Sequence, residues 1–154
     1  MIEPPKILQT TAQPVAVIHV TIPRSEIQKV MGPGLAELKA TLAAQDIVPK
    51  GPWFTRHLKM DPKIFDFEIG LRIDKPVTAK GRVTAGELPA ATVARTIYHG
   101  GYEGLHSAWA EFGKWIVAQG HQPGPSLWET YLTDPAANPD PSTYLTELTQ
   151  PLLK

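Results

Sequence analysis

The residues best placed for chemistry lie in SLWETYLTDP, residues 126–135, where a carboxylate and a phenol stand two positions apart in a stretch with strand-like composition. In an extended chain Leu127, Glu129, Tyr131 and Thr133 share one face, and Trp128, Thr130 and Leu132 share the other. With helices covering the Trp128–Leu132 side, Glu129 and Tyr131 would point together into a groove. A carboxylate on the inner side of an apolar groove is costly to desolvate and needs a cation, hydrogen-bond donors or a ligand. Two chemistries follow. In one, the carboxylate is the counter-charge for a bulky apolar cation and the surrounding rings supply stacking and cation–π attraction. In the other, Glu129 activates a water and Tyr131 donates a proton, which is hydrolysis. The plainer alternative, a surface glutamate on an edge strand or one paired with Arg56, stands equally on spacing alone.

Other chemistry is excluded by composition. The chain has no Cys, so disulfides, thiolate catalysis and cysteine metal sites are ruled out. The five histidines, His19, His57, His99, His106 and His121, show no i,i+4 pairing and no recognisable axial position for haem, so neither a metal nor a cofactor is expected. Lys plus Arg and Asp plus Glu are both 15 with no long run of one sign, which argues against direct binding to nucleic acid. MIEPPK is not followed by an apolar signal-peptide core, and no apolar run approaches membrane-spanning length; a cytoplasmic protein with no membrane partner is expected.

The elements that position Glu129 come from a duplication. Pro14 and Pro89, Thr21 and Thr96, Ile22 and Ile97, and Pro76 and Pro151 each lie 75 residues apart. Gly51-Pro52 and Gly124-Pro125, like Asp61-Pro62 and Asp134-Pro135, lie 73 apart, which puts Arg56 at the position of Glu129 in the first copy. Self-similarity at a fixed spacing predicts two similar units, about 13–76 and 82–152, forming a single domain over 1–154. Each copy reads as strand, helix, strand, strand. Residues 13–22 form the first strand; Ser25 caps a short turn over 26–31, Gly32-Pro33-Gly34 splits the helix, and Leu35, Leu38 and Leu42 carry it to about 45. Segments 53–60 and 65–73 are strands, the latter with Phe65, Phe67, Ile69, Leu71 and Ile73 on a buried face and a wet opposite face. In the second copy 82–98 is a strand, or two joined at Gly86. Leu105, Trp109, Phe112 and Ile116 form an apolar helical stripe ending at Gly120, and strands at 126–133 and 142–150 follow. The expected fold is α+β: a curved, largely antiparallel sheet with both helices on one face and a ligand groove between the two halves.

WETYLTDP followed by TYLTELTQPL resembles the terminal signature of the GyrI-like small-molecule-binding proteins, the effector-binding domains also found behind helix-turn-helix modules in AraC-type and MerR-type multidrug regulators. IPRSEIQKVMG, DIVPKGPWF and TIYHGGYEGLHSAWAEFGKWI resemble that family's upstream blocks in order, so the resemblance covers about Gln13 to Leu152. It implies two strand-helix-strand-strand modules and an acidic residue at the base of the ligand pocket, here Glu129, with Tyr131 beside it. It further implies Tyr144 on the next strand, Tyr98 and Tyr102 near the mouth, Trp109 further in, and Met31 from the first copy. With no helix-turn-helix segment legible, the expected role is a stand-alone sensor or sequestering protein for lipophilic, often cationic or aromatic compounds, with a homodimer or a regulatory protein as further partner. Some stand-alone relatives resemble hydrolases of reactive cyclopropane-bearing compounds, which would make Glu129 and Tyr131 catalytic. Trp109 as plain core, Tyr144 as a sheet-face residue with its hydroxyl in water, and residues 98–102 as a simple turn are the corresponding non-functional readings.

Overall fold

Apolar alternation and helical stripes fall where the sequence places them, and the computed structural model describes residues 2–60, 63–133 and 137–153. The strands are β1 (Lys6–Gln9), β2 (Gln13–Pro23), β3 (Phe54–Met60), β4 (Ile64–Arg72), β5 (Val83–Leu88), β6 (Thr92–His99), β7 (Gln122–Pro123), β8 (Leu127–Tyr131) and β9 (Leu145–Leu153). The helices are α1 (Ile27–Ala44) and α2 (Leu105–Ala118), and short 3-10 turns occupy Arg24–Glu26, Tyr102–Gly104 and Pro141–Thr143. Asp61-Pro62 and Asp134-Pro135 lie outside the described residues.

The chain divides into two compact units, one formed by Thr11–Ala90 and the other by Met1–Thr10 together with Ala91–Lys154. In the first unit the strand order is β3-β4-β2-β5, all antiparallel. Ala16, Ile18 and Val20 of β2 and Phe67 and Ile69 of β4 pack with Leu38 and Leu42 of α1 in one apolar cluster. In the second unit the order is β1-β6-β9-β8, again antiparallel, with β7 beside β9. Ala108, Phe112 and Ile116 of α2 pack there against Ala94 and Tyr98 of β6 and Leu148 of β9. Each unit thus runs strand, helix, strand, strand, with the last strand between the other two and one further strand on the edge. This is the expected α+β class with its duplicated module.

Several local expectations are corrected. Helix α1 is not split: it runs through Pro33 without interruption. A proline inside a helix removes one hydrogen bond, but burial of the Leu38–Leu42 face supplies more than that loss. Gly34 serves close approach, because a Cβ there would lie 2.6 Å from Ile69 Cδ1. Ser25 does not cap; it sits within a 3-10 turn whose flanking residues make no side-chain cap bond. The second-copy strand is two strands, but they part at 89–91 and not at Gly86, because Pro89 lacks the N–H a ladder needs. The second face of β4 is not wet: Gly70 is buried and Asp66, Glu68 and Arg72 are half-buried. Strand β1 carries too little alternation to be read from sequence.

Thr10 and Ala91, where the chain leaves and re-enters the second unit, are bonded to each other. The Thr10 N–H donates to the Ala91 carbonyl at 2.8 Å, and the Ala91 N–H donates to Thr10 Oγ1 at 3.1 Å. Among the described residues no helix is long and apolar enough to cross a membrane.

Candidate functional site

Glu129 and Tyr131 stand on the same face of β8, as period-two alternation requires. Their partners on β9 are Leu148 and Thr146, and those on β6 beyond are Thr96 and Tyr98. Leu148 packs into the α2 cluster, so α2 covers the face that carries Glu129. This corrects the expectation that the helical side is that of Trp128 and Leu132. The apolar stripe of α2 needs apolar partners, and Ala94, Tyr98 and Leu148 supply them on this face.

The result is a carboxylate held by a helix and by its own strand. Trp109 Nε1 donates to Glu129 Oε2 at 2.6 Å, and the Tyr131 hydroxyl donates to Glu129 Oε1 at 2.8 Å. Glu129 is 8% exposed. Both donors are neutral. The ion pairs of the described residues lie elsewhere, including Arg95 with Glu147 and His99 with Glu3 in the same unit, and none of them involves Glu129. Arg56, its counterpart in the first copy, sits 3.9 Å from Glu68. Burial makes an uncompensated carboxylate costly, and two neutral hydrogen bonds offset only part of that cost.

Aromatic rings adjoin this group. The Tyr102 ring meets Tyr131 edge-on at 5.9 Å between centroids and lies 5.1 Å from Tyr144 at an interplanar angle of 31°. Tyr144 is buried, and its hydroxyl donates to the Pro139 carbonyl at 3.1 Å and not to solvent. Asp140 shapes that turn by accepting from the Ser142 N–H. Tyr98 shares the row of Tyr131 but turns its hydroxyl to the Gly101 carbonyl at 3.0 Å, an acceptor that also takes the Gly104 N–H. Gly100 has φ +142, a conformation that favours glycine. All four tyrosines of the chain therefore lie in this unit, and three of their rings adjoin Glu129 or one another.

Trp109, half-buried at the edge of the α2 stripe, packs on Phe112 and also reaches Glu129, so the stripe alone does not describe it. Met31 lies in the other unit, partly buried against the core there. Among the described residues no group of three or more His, Asp or Glu side chains is arranged to hold a metal. Sequence reasoning missed the Trp109–Glu129 bond, which joins residues 20 apart across two elements. It also missed Thr146, whose one signal was its place two residues after Tyr144.

Gly104 fixes the turn that presents Tyr102. A Cβ at this position would lie 2.0 Å from the Tyr98 hydroxyl oxygen. Gly104→Ala is expected to lower the unfolding free energy by about 1–3 kcal/mol, because Tyr98 must give up its bond to Gly101. Urea denaturation measures this, and an unchanged midpoint would show that the ring moves aside freely.

The family model of the GyrI-like small molecule binding domain matches residues 3–153. No curated protein matches in sequence. Among solved structures the chain is similar to the EcmrR C-terminal domain, at 20% identity and TM-score 0.84, covering 98% of each chain. It is also similar to EcmrR in a DNA complex, at 19% identity and TM-score 0.83, where 99% of this chain spans only 58% of the regulator. A hydrolase from Listeria innocua aligns at 14% identity and TM-score 0.70 over 97% of this chain and 91% of that one. SAV2435, solved bound to tetraphenylphosphonium, aligns at 10% identity and TM-score 0.63 over 98% and 94%. At these identities the likeness to the solved structures shows a common fold.

Proposed function

The chain belongs to the GyrI-like small-molecule-binding family, and from that premise we propose that it binds lipophilic aromatic cations with Glu129 as counter-charge. The observation that carries this reading is a carboxylate 8% exposed whose partners among the described residues are two neutral donors and no cation. A bound cation would supply the missing charge, and Trp109, Tyr102, Tyr131 and Tyr144 would supply ring faces for cation–π contact. The tetraphenylphosphonium held by SAV2435 supports the same class of ligand on this fold. Met31 has a role in this reading only through the family resemblance.

The test is equilibrium binding to the wild-type protein, followed by quenching of tryptophan fluorescence and by calorimetry. Tetraphenylphosphonium is expected to bind at least about tenfold more tightly than triphenylmethane, a neutral compound with similar rings. Equal affinities would remove the counter-charge role.

A second reading, hydrolysis, is favoured by one contact: the Tyr131 hydroxyl lies 2.8 Å from the Glu129 carboxylate. The Listeria innocua hydrolase on the same fold supports it. Glu129 would take a proton from water as the water oxygen attacks a strained or activated carbon, and the phenol would protonate the departing group. In this reading Glu129→Gln and Tyr131→Phe each lower the maximal rate by about a hundredfold or more at unchanged substrate affinity. Activated esters and cyclopropanes are the panel to assay, and wild-type rates equal to those of Glu129→Gln would sink hydrolysis for those substrates.

A further inference from the structure

Thr146 lies at the centre of the row that joins Tyr98 on β6 to Tyr131 on β8, in register with both. Registered antiparallel neighbours present their side chains on the same face within about 5 Å of one another. Thr146 therefore faces the same side as Glu129, Tyr131 and Tyr144. It is 0% exposed, and its hydroxyl has no hydrogen-bond partner among the described residues. A buried hydroxyl without a partner is costly, and valine would give the same shape without that cost. The neighbouring hydroxyls do not share this condition: Tyr98 donates to Gly101, Tyr131 to Glu129 and Tyr144 to Pro139.

The ring next to this row belongs to a side chain at the surface. Tyr102 is 37% exposed, sits on a three-residue 3-10 turn, and rests on Tyr131 and Tyr144, the residues that flank Thr146 on its own face. We infer that Thr146 is a specificity-determining residue: displacement of Tyr102 by a ligand uncovers its hydroxyl, which then pairs with a hydroxyl or carbonyl group on an aromatic ligand. Glu129 would select charge, and Thr146 would select a polar substituent about one strand away. This inference rests on the proposed ligand site but does not require the ligand to be a cation.

Four probes separate the two claims: tetraphenylphosphonium, (4-hydroxyphenyl)triphenylphosphonium, triphenylmethane and 4-benzhydrylphenol. In the wild type the hydroxylated member of each pair is expected to bind about tenfold more tightly than its parent. Thr146→Val should abolish that difference while leaving the affinity of tetraphenylphosphonium unchanged, and Thr146→Ser should restore it. The free Thr146→Val protein should melt at or above the wild-type temperature, since no paired hydroxyl is lost. The inference is overturned if the wild type shows no preference for the phenols. It is equally overturned if the preference survives Thr146→Val, as it would with the phenol seated on Glu129, or if Thr146→Val melts lower and loses all four probes together. A phenol preference without a cation preference would remove the counter-charge role and leave Thr146 standing. Failure of all four probes to bind the wild type would remove both.

Discussion

Glu129→Gln is expected to weaken tetraphenylphosphonium binding about a hundredfold while changing triphenylmethane affinity by no more than about threefold. The estimate is coulombic: two unit charges about 6 Å apart at an effective dielectric constant of about 20 attract by about 2.8 kcal/mol, or two decades of affinity. The substitution isolates charge because glutamine can keep both contacts. Its carbonyl can accept from Trp109 Nε1, which can only donate, and its amide can donate to Tyr131, whose hydroxyl can also accept. The free protein should therefore keep or gain stability, since a buried charge with no cationic partner among the described residues is replaced by a neutral group. Calorimetry on both ligands with a parallel thermal melt decides the matter. Equal losses for the two ligands, or a melt several degrees lower, would show that Glu129 organises the site without serving as counter-ion.

The second large effect concerns stability and lies in the other unit. Gly70→Val is expected to cost roughly 3–5 kcal/mol, although valine is among the best strand formers and glycine among the worst. The reason is Phe54. A Cβ on Gly70 would lie 2.3 Å from Phe54 Cζ and 2.8 Å from each Cε, so the ring lies across the bare glycine backbone of β4. Phe54 is wholly buried, with the Arg72 guanidinium 5.3 Å from its centroid. A side chain at position 70 forces the ring out of that place. The double variant Gly70→Val with Phe54→Ala should lose clearly less than the sum of the two single losses, since valine then occupies part of the vacated volume. Urea unfolding of the four proteins gives the cycle. Additive losses, or a Gly70→Val protein within about 0.5 kcal/mol of wild type, would show that Phe54 does not depend on Gly70.

The same glycine shows what a sequence can and cannot convey. The apolar alternation of residues 65–73 was sufficient to place β4, and the Leu105–Trp109–Phe112–Ile116 stripe was sufficient to place α2, because each is a local pattern with a fixed period. That Gly70 is the seat of an aromatic ring depends on a residue on the neighbouring strand, and periodicity is blind to it. Pro33 misled for the opposite reason. Its local cost is real, but the burial that outweighs it comes from the sheet. In the candidate site, the shared face of Glu129 and Tyr131 followed from spacing. The face on which α2 packs, the indole that reaches the carboxylate, and the Thr146 hydroxyl left without a partner among the described residues are matters of tertiary contact.

The bonds between Thr10 and Ala91 have a kinetic consequence. Residues 11–90 are one continuous stretch, whereas β1 must find β6 across that whole interval. Closing a flexible loop of such length costs about 3 kcal/mol more than closing a two-residue hairpin. Once the continuous stretch has folded, the pairing of β2 with β5 holds Gln13 opposite Leu88, and the long loop has become a short one. Ordered assembly then follows from connectivity alone: the interrupted half docks its first strand late, after the uninterrupted half has brought the two ends of the gap together.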